Sequence, residues 1–169
     1  MAFATNFDKH MKAELEERLP EYKWEMGWHL EGEGGKVDLV GLKKNQPQVF
    51  VEVELKRDDP AANVIKVWRW ALDQNRARPV LFVQGFSKRY WQSKTRFRER
   101  AEFVGARMVE SGVRVKYEPT TVMTTNKRGA KIPFRPRTPA KEGAGRLRLA
   151  AITFARQVAR LVRANGSAK

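Results

Sequence analysis

The sequence predicts an α/β fold with a mixed central sheet covered by helices, and three observations carry that expectation. Segments of helical period alternate with short β-prone runs along most of the chain. Three of those runs follow one another across EGEGG and KKNQPQ, whose Gly, Asn and Pro are turn chemistry, so they form a meander. A helix then leads into a fully apolar run, the connection that places a strand in a sheet covered by helices. At 169 residues, 41% of them hydrophobic, the chain holds enough apolar material for one core.

Residues 6–19 carry Phe7, Met11, Leu15 and Leu19 on one helical stripe, and Pro20 stops the helix. The runs 22–30, 36–42 and 48–55 are the strands of the meander. Asp59 and Pro60 form an N-cap and first-turn signal, after which Val64, Val67, Trp68 and Ala71 recur at helical spacing up to about Gln74. RPVLFVQGF, 78–86, has the continuous apolar character of a strand buried on both faces. Residues 88–110 predict one long basic helix with Phe97, Ala101, Val104 and Met108 inward, and 113–118 closes the sheet. Residues 1–118 are therefore the α/β core. Residues 119–145, rich in Pro, Gly and Thr with six Lys/Arg against Glu142, predict a linker or an arm on a partner. Within 146–169 a last helix, 146–164, carries Leu147, Ala151, Phe154, Val158 and Leu161 on one stripe and Arg156, Arg160 and Arg163 on another. Its apolar stripe has to bury on the domain or on a second subunit.

Charge is distributed unevenly. Residues 1–60 hold 9 Lys/Arg against 13 Asp/Glu, and residues 61–169 hold 25 against 6, within a net charge of +15. A field of this size attracts polyanions and releases counterions from phosphates, which makes nucleic acid the expected partner. The absence of cysteine excludes disulfides, thiolate metal sites and cysteine nucleophiles. His10 and His29 are too few and too far apart for a His-rich metal motif. Neither a membrane span nor a secretory leader is visible, so a cytoplasmic protein with no membrane partner is expected.

The segment QVFVEVELK carries the chemistry. Val49, Val51, Val53 and Leu55 face one side, while Phe50, Glu52, Glu54 and Lys56 face the other. In a sheet covered by helices such charges need partners, and Asp38, centred in KVDLVGL, supplies a second oxygen donor across the hairpin. Carboxylates of this kind hold Mg²⁺, the metal lowers the pKa of a bound water, and a lysine orients that water or stabilises charge on a phosphate. The plain alternative, a half-exposed sheet with surface ion pairs, leaves Asp38 unexplained.

Asp38 followed by Glu54-Leu55-Lys56 at the end of the next strand, with a helix before and a helix and strand after, resembles the PD-(D/E)XK nuclease superfamily. That superfamily includes restriction endonucleases, archaeal Holliday junction resolvases and repair nucleases. The resemblance covers roughly residues 7–118 and implies a restriction endonuclease-like core with a basic C-terminal helical extension. It implies that Asp38 and Glu54 hold the metal and that Lys56 assists the attacking water; Val37 stands where the motif has proline. Many members add a glutamate from the first helix, and Glu14, beside the inward stripe, is the candidate. Glu52 shares the face of Glu54 and is either the metal ligand in a shifted register or a partner for a nearby cation. Asn63 and Lys66 on the second helix either reach the site or form a solvated face. The implied activity is Mg²⁺-dependent hydrolysis of DNA phosphodiester bonds by an endonuclease, with Mn²⁺ substituting. Lys66, Lys88, Arg89, Lys94, Arg96 and Arg98, with Lys127, Arg128, Lys131, Arg135 and Arg137 from the arm, are the expected phosphate contacts. A homodimer through the last helix is expected. The alternative is a nucleic-acid-binding module that keeps the nuclease fold and does not cut. Five tryptophans suggest base stacking, although Trp68 lies on an apolar stripe and fits the core.

Overall fold

A computed structural model describes residues 2–32, 35–56, 58–74, 78–126, 128–136 and 144–166. Its elements run α1 (Ala2–Arg18), β1 (Lys23–His29), β2 (Lys36–Lys43), β3 (Gln46–Glu54), α2 (Ala61–Leu72) and β4 (Val80–Phe86). A 3-10 turn (Lys88–Trp91), α3 (Thr95–Glu110), β5 (Val115–Thr121), β6 (Met123–Thr125), β7 (Lys131–Pro133) and α4 (Ala144–Gly166) follow. The first five strands form one sheet in the order β1-β2-β3-β4-β5. β1, β2 and β3 pair antiparallel, and β3, β4 and β5 pair parallel, so the sheet is mixed. The β2–β3 hairpin turns on Lys44 and Asn45, both at positive φ, the backbone of a two-residue turn that matches strand twist.

Every residue of β4 is buried, which explains its unbroken apolar run. Two crossovers of the same hand, through α2 and α3, bring both helices to one face. There Val64, Val67 and Trp70 of α2 and Ala101 and Met108 of α3 pack against Phe50 and Phe82. On the other face Phe7, Met11 and Leu15 of α1 and Phe154 and Val158 of α4 pack against Val49, Val51, Leu81 and Val83. Both layers sit close. A Cβ on Gly85 would come within 2.4 Å of the Phe154 ring, and one on Gly105 within 2.1 Å of the Tyr117 ring.

Three expectations change. The long basic helix 88–110 is broken, because Ser87 ties the chain to the end of β3: its N–H donates to the Glu54 carbonyl at 3.0 Å and its hydroxyl to the Leu55 carbonyl at 2.9 Å. The chain therefore makes a 3-10 turn across the sheet end before α3 begins at Thr95. Residues 119–126 and 128–136 are part of the domain and not a linker. β5 extends to Thr121, and β6 and β7 pair as a small hairpin. Val122 and Phe134 on either side of that hairpin are fully buried, with the Phe134 N–H donating to the Val122 carbonyl at 2.7 Å. Finally, α4 buries its apolar stripe on its own domain. Arg156 and Arg163 bind α1, through the Glu14 carboxylate at 2.8 Å and the Arg18 carbonyl at 2.8 Å. The surface that motivated a homodimer is thereby occupied within the chain.

Candidate active site

β2 and β3 part company at Asp38. Their main-chain ladder reaches Leu39↔Val51, so Asp38 and Glu52 stand next to each other at its end. Beyond that pair the Val53 N–H has no β2 carbonyl opposite it. The Asp38 carboxylate replaces the missing acceptor, taking that N–H at 2.8 Å. A side chain in the fork of two strands is held by backbone and cannot relax away. Phe50 beside it belongs to the α2–α3 face, and Glu52 points the same way by the two-residue period.

Glu52 is 2% exposed. Burial first, and then the Asp38 charge, push its carboxyl well above the ordinary range, with Glu54 adding in the same direction and Lys66 opposing. Lys66 of α2 forms an ion pair with Glu52 at 2.5 Å and donates its hydrogen bond to the Lys36 carbonyl, bridging α2 to the start of β2. Glu54, 1% exposed, accepts from Asn63 and from Gln84, each at 2.7 Å. Gln84 also donates to the Pro60 carbonyl at 2.9 Å and accepts from the Tyr117 hydroxyl at 2.7 Å. Burial, then the charges of Glu102 and Glu54, raise the Tyr117 pKa and keep that hydroxyl a donor. Two amides and a phenol thus fix Glu54, while Lys66 sets the charge beside Glu52. Lys56 lies just past β3, exposed, and its carbonyl accepts from Lys94 at 3.4 Å.

The helix α1 sends a different acid from the one expected. Asp8 lies within the field of Asp38, and burial followed by that charge pushes its carboxyl up to about 8. Glu14 sits six residues further on, roughly 9 Å along the axis. Burial raises its pKa, but Arg156 and Arg18, the latter at 2.6 Å, outweigh that and hold it below the ordinary range. Glu14 therefore fastens α4 to α1 and is withdrawn from the acidic group. Asp8 follows Phe7 and precedes Met11 by three residues, so it too borders the inward stripe, where the sequence alone offers an aspartate as readily as Glu14. Gln84 had a signal as well, as the lone polar side chain in VLFVQGF.

Asp8, Asp38, Glu52, Glu54 and Lys66 thus come from α1, β2, β3 and α2 to the carboxyl end of β3. The basic residues gather near the same end. Lys88 and Arg89 lie on the 3-10 turn, and Lys94, before α3, pairs with Asp58. Arg96 and Arg98 begin α3. The Lys88 N–H donates to the Phe134 carbonyl at 2.7 Å, which brings the hairpin segment with exposed Arg128, Lys131 and Arg135 alongside. Lys127 and Arg137 lie outside the described residues. A cleft of about 450 Å³ lies at the opposite end of the sheet, beside Lys43, Arg78 and Lys116, and takes no part in this group.

Among the described residues, no three or more His, Cys, Asp or Glu side chains are arranged as a ready metal site. Mg²⁺ asks for less: it is usually bound by one or two carboxylates and completes its octahedron with water and substrate phosphate. A buried Glu52 next to Asp38 fits that demand, since a divalent cation would offset the burial and the Asp38 charge that raise its pKa. Compared with protein-family models, curated proteins and solved structures, the chain gives no match.

Proposed function

We propose that the protein is a divalent-metal-dependent nuclease with a restriction endonuclease-like core, hydrolysing DNA phosphodiester bonds as an endonuclease. The observation that carries this reading is the pair at the strand fork: Asp38 held by the Val53 N–H, with Glu52 buried next to it. Asp38 and Glu52 would hold Mg²⁺ or Mn²⁺, with Asp8 in the same field. The bound metal supplies a water of lowered pKa and positive charge on the phosphoryl oxygens. Lys66 balances the acids and, together with Lys56, offers ammonium groups for the attacking water or the phosphate. Asn63, Gln84 and Tyr117 orient Glu54. The basic 3-10 turn, α3 and hairpin grip the phosphate backbone.

A second reading, a DNA-binding module of the same fold that does not cut, draws on Lys66. Its ion pair with Glu52 neutralises the buried acid without any metal. Calorimetric titration of Mn²⁺ into the protein with a DNA oligonucleotide present separates the two. The nuclease reading expects binding that Asp38→Asn and Glu52→Gln abolish and Glu54→Gln leaves largely intact. It also expects cleavage in a panel of duplex DNA, branched DNA, single strand and RNA. Wild type that takes up no divalent ion and cleaves none of the four is the module.

A further inference from the structure

Of the five tryptophans, Trp24 and Trp70 are 2% exposed and Trp28 and Trp68 are half-buried, whereas Trp91 is 44% exposed. Its position is tightly prescribed. Four residues before it, Ser87 is hydrogen-bonded to the Glu54 and Leu55 carbonyls; three residues after it, Lys94 donates to the Lys56 carbonyl and pairs with Asp58. The strand end that carries the acids therefore holds the segment bearing Trp91 from both sides. Tyr90, fully buried edge-on against Phe86, faces the core and leaves its neighbour to solvent. The Arg98 guanidinium lies 3.6 Å from the centre of the indole and covers one of its faces. Arg98 is itself only 13% exposed and is flanked by Glu102 at 3.8 Å, so it is a fixed backing for the ring. With Arg98 on one face, a ligand that stacks on the ring would take the other.

A single exposed ring needs no ligand to explain it, but this one stands on a basic turn tied to the strand end that carries the acids, with one face already backed by a guanidinium. Lys88 and Arg89 share its 3-10 turn, and Lys94 and Arg96 follow within five residues, so a ligand that stacks on the ring and draws on these cations is an anion with a flat aromatic part. We propose that Trp91 is a stacking platform for one unpaired nucleobase beside the acidic site, and that the protein takes nucleic acid with a single-stranded or unpaired segment there. Bases within a duplex are already stacked on one another and have no face to offer, whereas an unpaired base stacks on an indole without regard to sequence. The adjacent cations hold its phosphates. The nuclease reading is the ground for calling the neighbouring acids a cleavage site, but the stacking itself is independent of cutting.

The test is therefore made in EDTA, where nothing is cleaved. A thymidine oligonucleotide and a duplex of equal length are titrated against wild type, Trp91→Ala and Trp91→Phe, with affinity and tryptophan fluorescence read together. We expect the single strand to quench wild-type fluorescence and the quench to vanish in both variants. Trp91→Ala loses roughly tenfold in single-strand affinity, as a single base–aromatic stack does, and stays within about twofold on duplex. Trp91→Phe keeps most of the single-strand affinity. The unchanged duplex affinity shows that the variants are folded. Equal losses on both ligands, or no loss on the single strand while duplex binding persists, overturn the stacking platform and leave the nuclease reading standing. Wild type that binds neither ligand overturns both.

Discussion

Asp8 offers the clearest measurement at the scale of single residues. Its pKa in the folded chain, about 8, lies above the ordinary 3.8, so folding binds its proton more tightly than the unfolded chain does. The stability this contributes is fully present below about pH 4 and is lost as pH rises through about 8. Glu52 is shifted in the same direction. In chelator, the melting temperature is therefore expected to carry a downward component from pH 4 to pH 8, which Asp8→Asn flattens in part and Mn²⁺ flattens further. A melting series with no difference between wild type and Asp8→Asn would remove Asp8 from the acidic group. Glu14 works with the opposite sign: its lowered pKa gives stability that is present above the ordinary 4.5 and is lost as pH falls through the lower folded value. Asp38→Asn removes a repelling charge and keeps an oxygen acceptor for the Val53 N–H, so it should melt at or above the wild-type temperature in chelator.

At the scale of elements, α4 is part of the core. Phe154 is fully buried and its ring fills the space that Gly85 leaves open on β4. Phe154→Ala is expected to cost about 3–5 kcal/mol in denaturant unfolding, the range for a buried phenylalanine. Gly85→Ala overpacks the same contact and costs about 1–3 kcal/mol. Deleting 144–169 should unfold the chain. A truncated protein with a native circular dichroism spectrum and a cooperative melt would show that α4 is dispensable. The helical stripes of α1, α2 and α4 were legible because each repeats one physical signal, burial at period 3.6, several times. The break after Ser87 was not, because its cause lies more than thirty residues away, in the carbonyls of Glu54 and Leu55. The hairpin around β6 and β7 was hidden for a related reason: its Pro, Gly and basic residues describe the exposed turn, while only Val122 and Phe134 report that it is anchored. At the site, alternation exposed Asp38, Glu52 and Glu54, but that Glu52 is the glutamate next to Asp38 depends on the Leu39↔Val51 register, which no local pattern prints.

For the whole molecule, the basic excess after residue 60 and the gathering of Lys88, Arg89, Arg96, Arg128, Lys131 and Arg135 at one end predict steep salt dependence of DNA binding. Six or more phosphate contacts would weaken affinity by roughly 10³ or more between 50 and 200 mM salt, measurable by filter binding. With the apolar stripe of α4 covered by α1 and the sheet, light scattering is expected to find a monomer at micromolar concentration, and a stable dimer would require another surface. No described helix is long and apolar enough to cross a membrane. On the proposed reading, the acids at the β2–β3 fork act through a divalent metal on a phosphodiester. Nicking of supercoiled plasmid tests it most directly, because one broken bond changes the topology of the whole circle. Wild type should convert supercoiled to open-circle DNA with Mg²⁺ or Mn²⁺ and not with EDTA, and Glu52→Gln, still folded and still binding DNA, should not. Intact supercoiled plasmid after incubation of wild type with either metal, or equal nicking by Glu52→Gln, would contradict it.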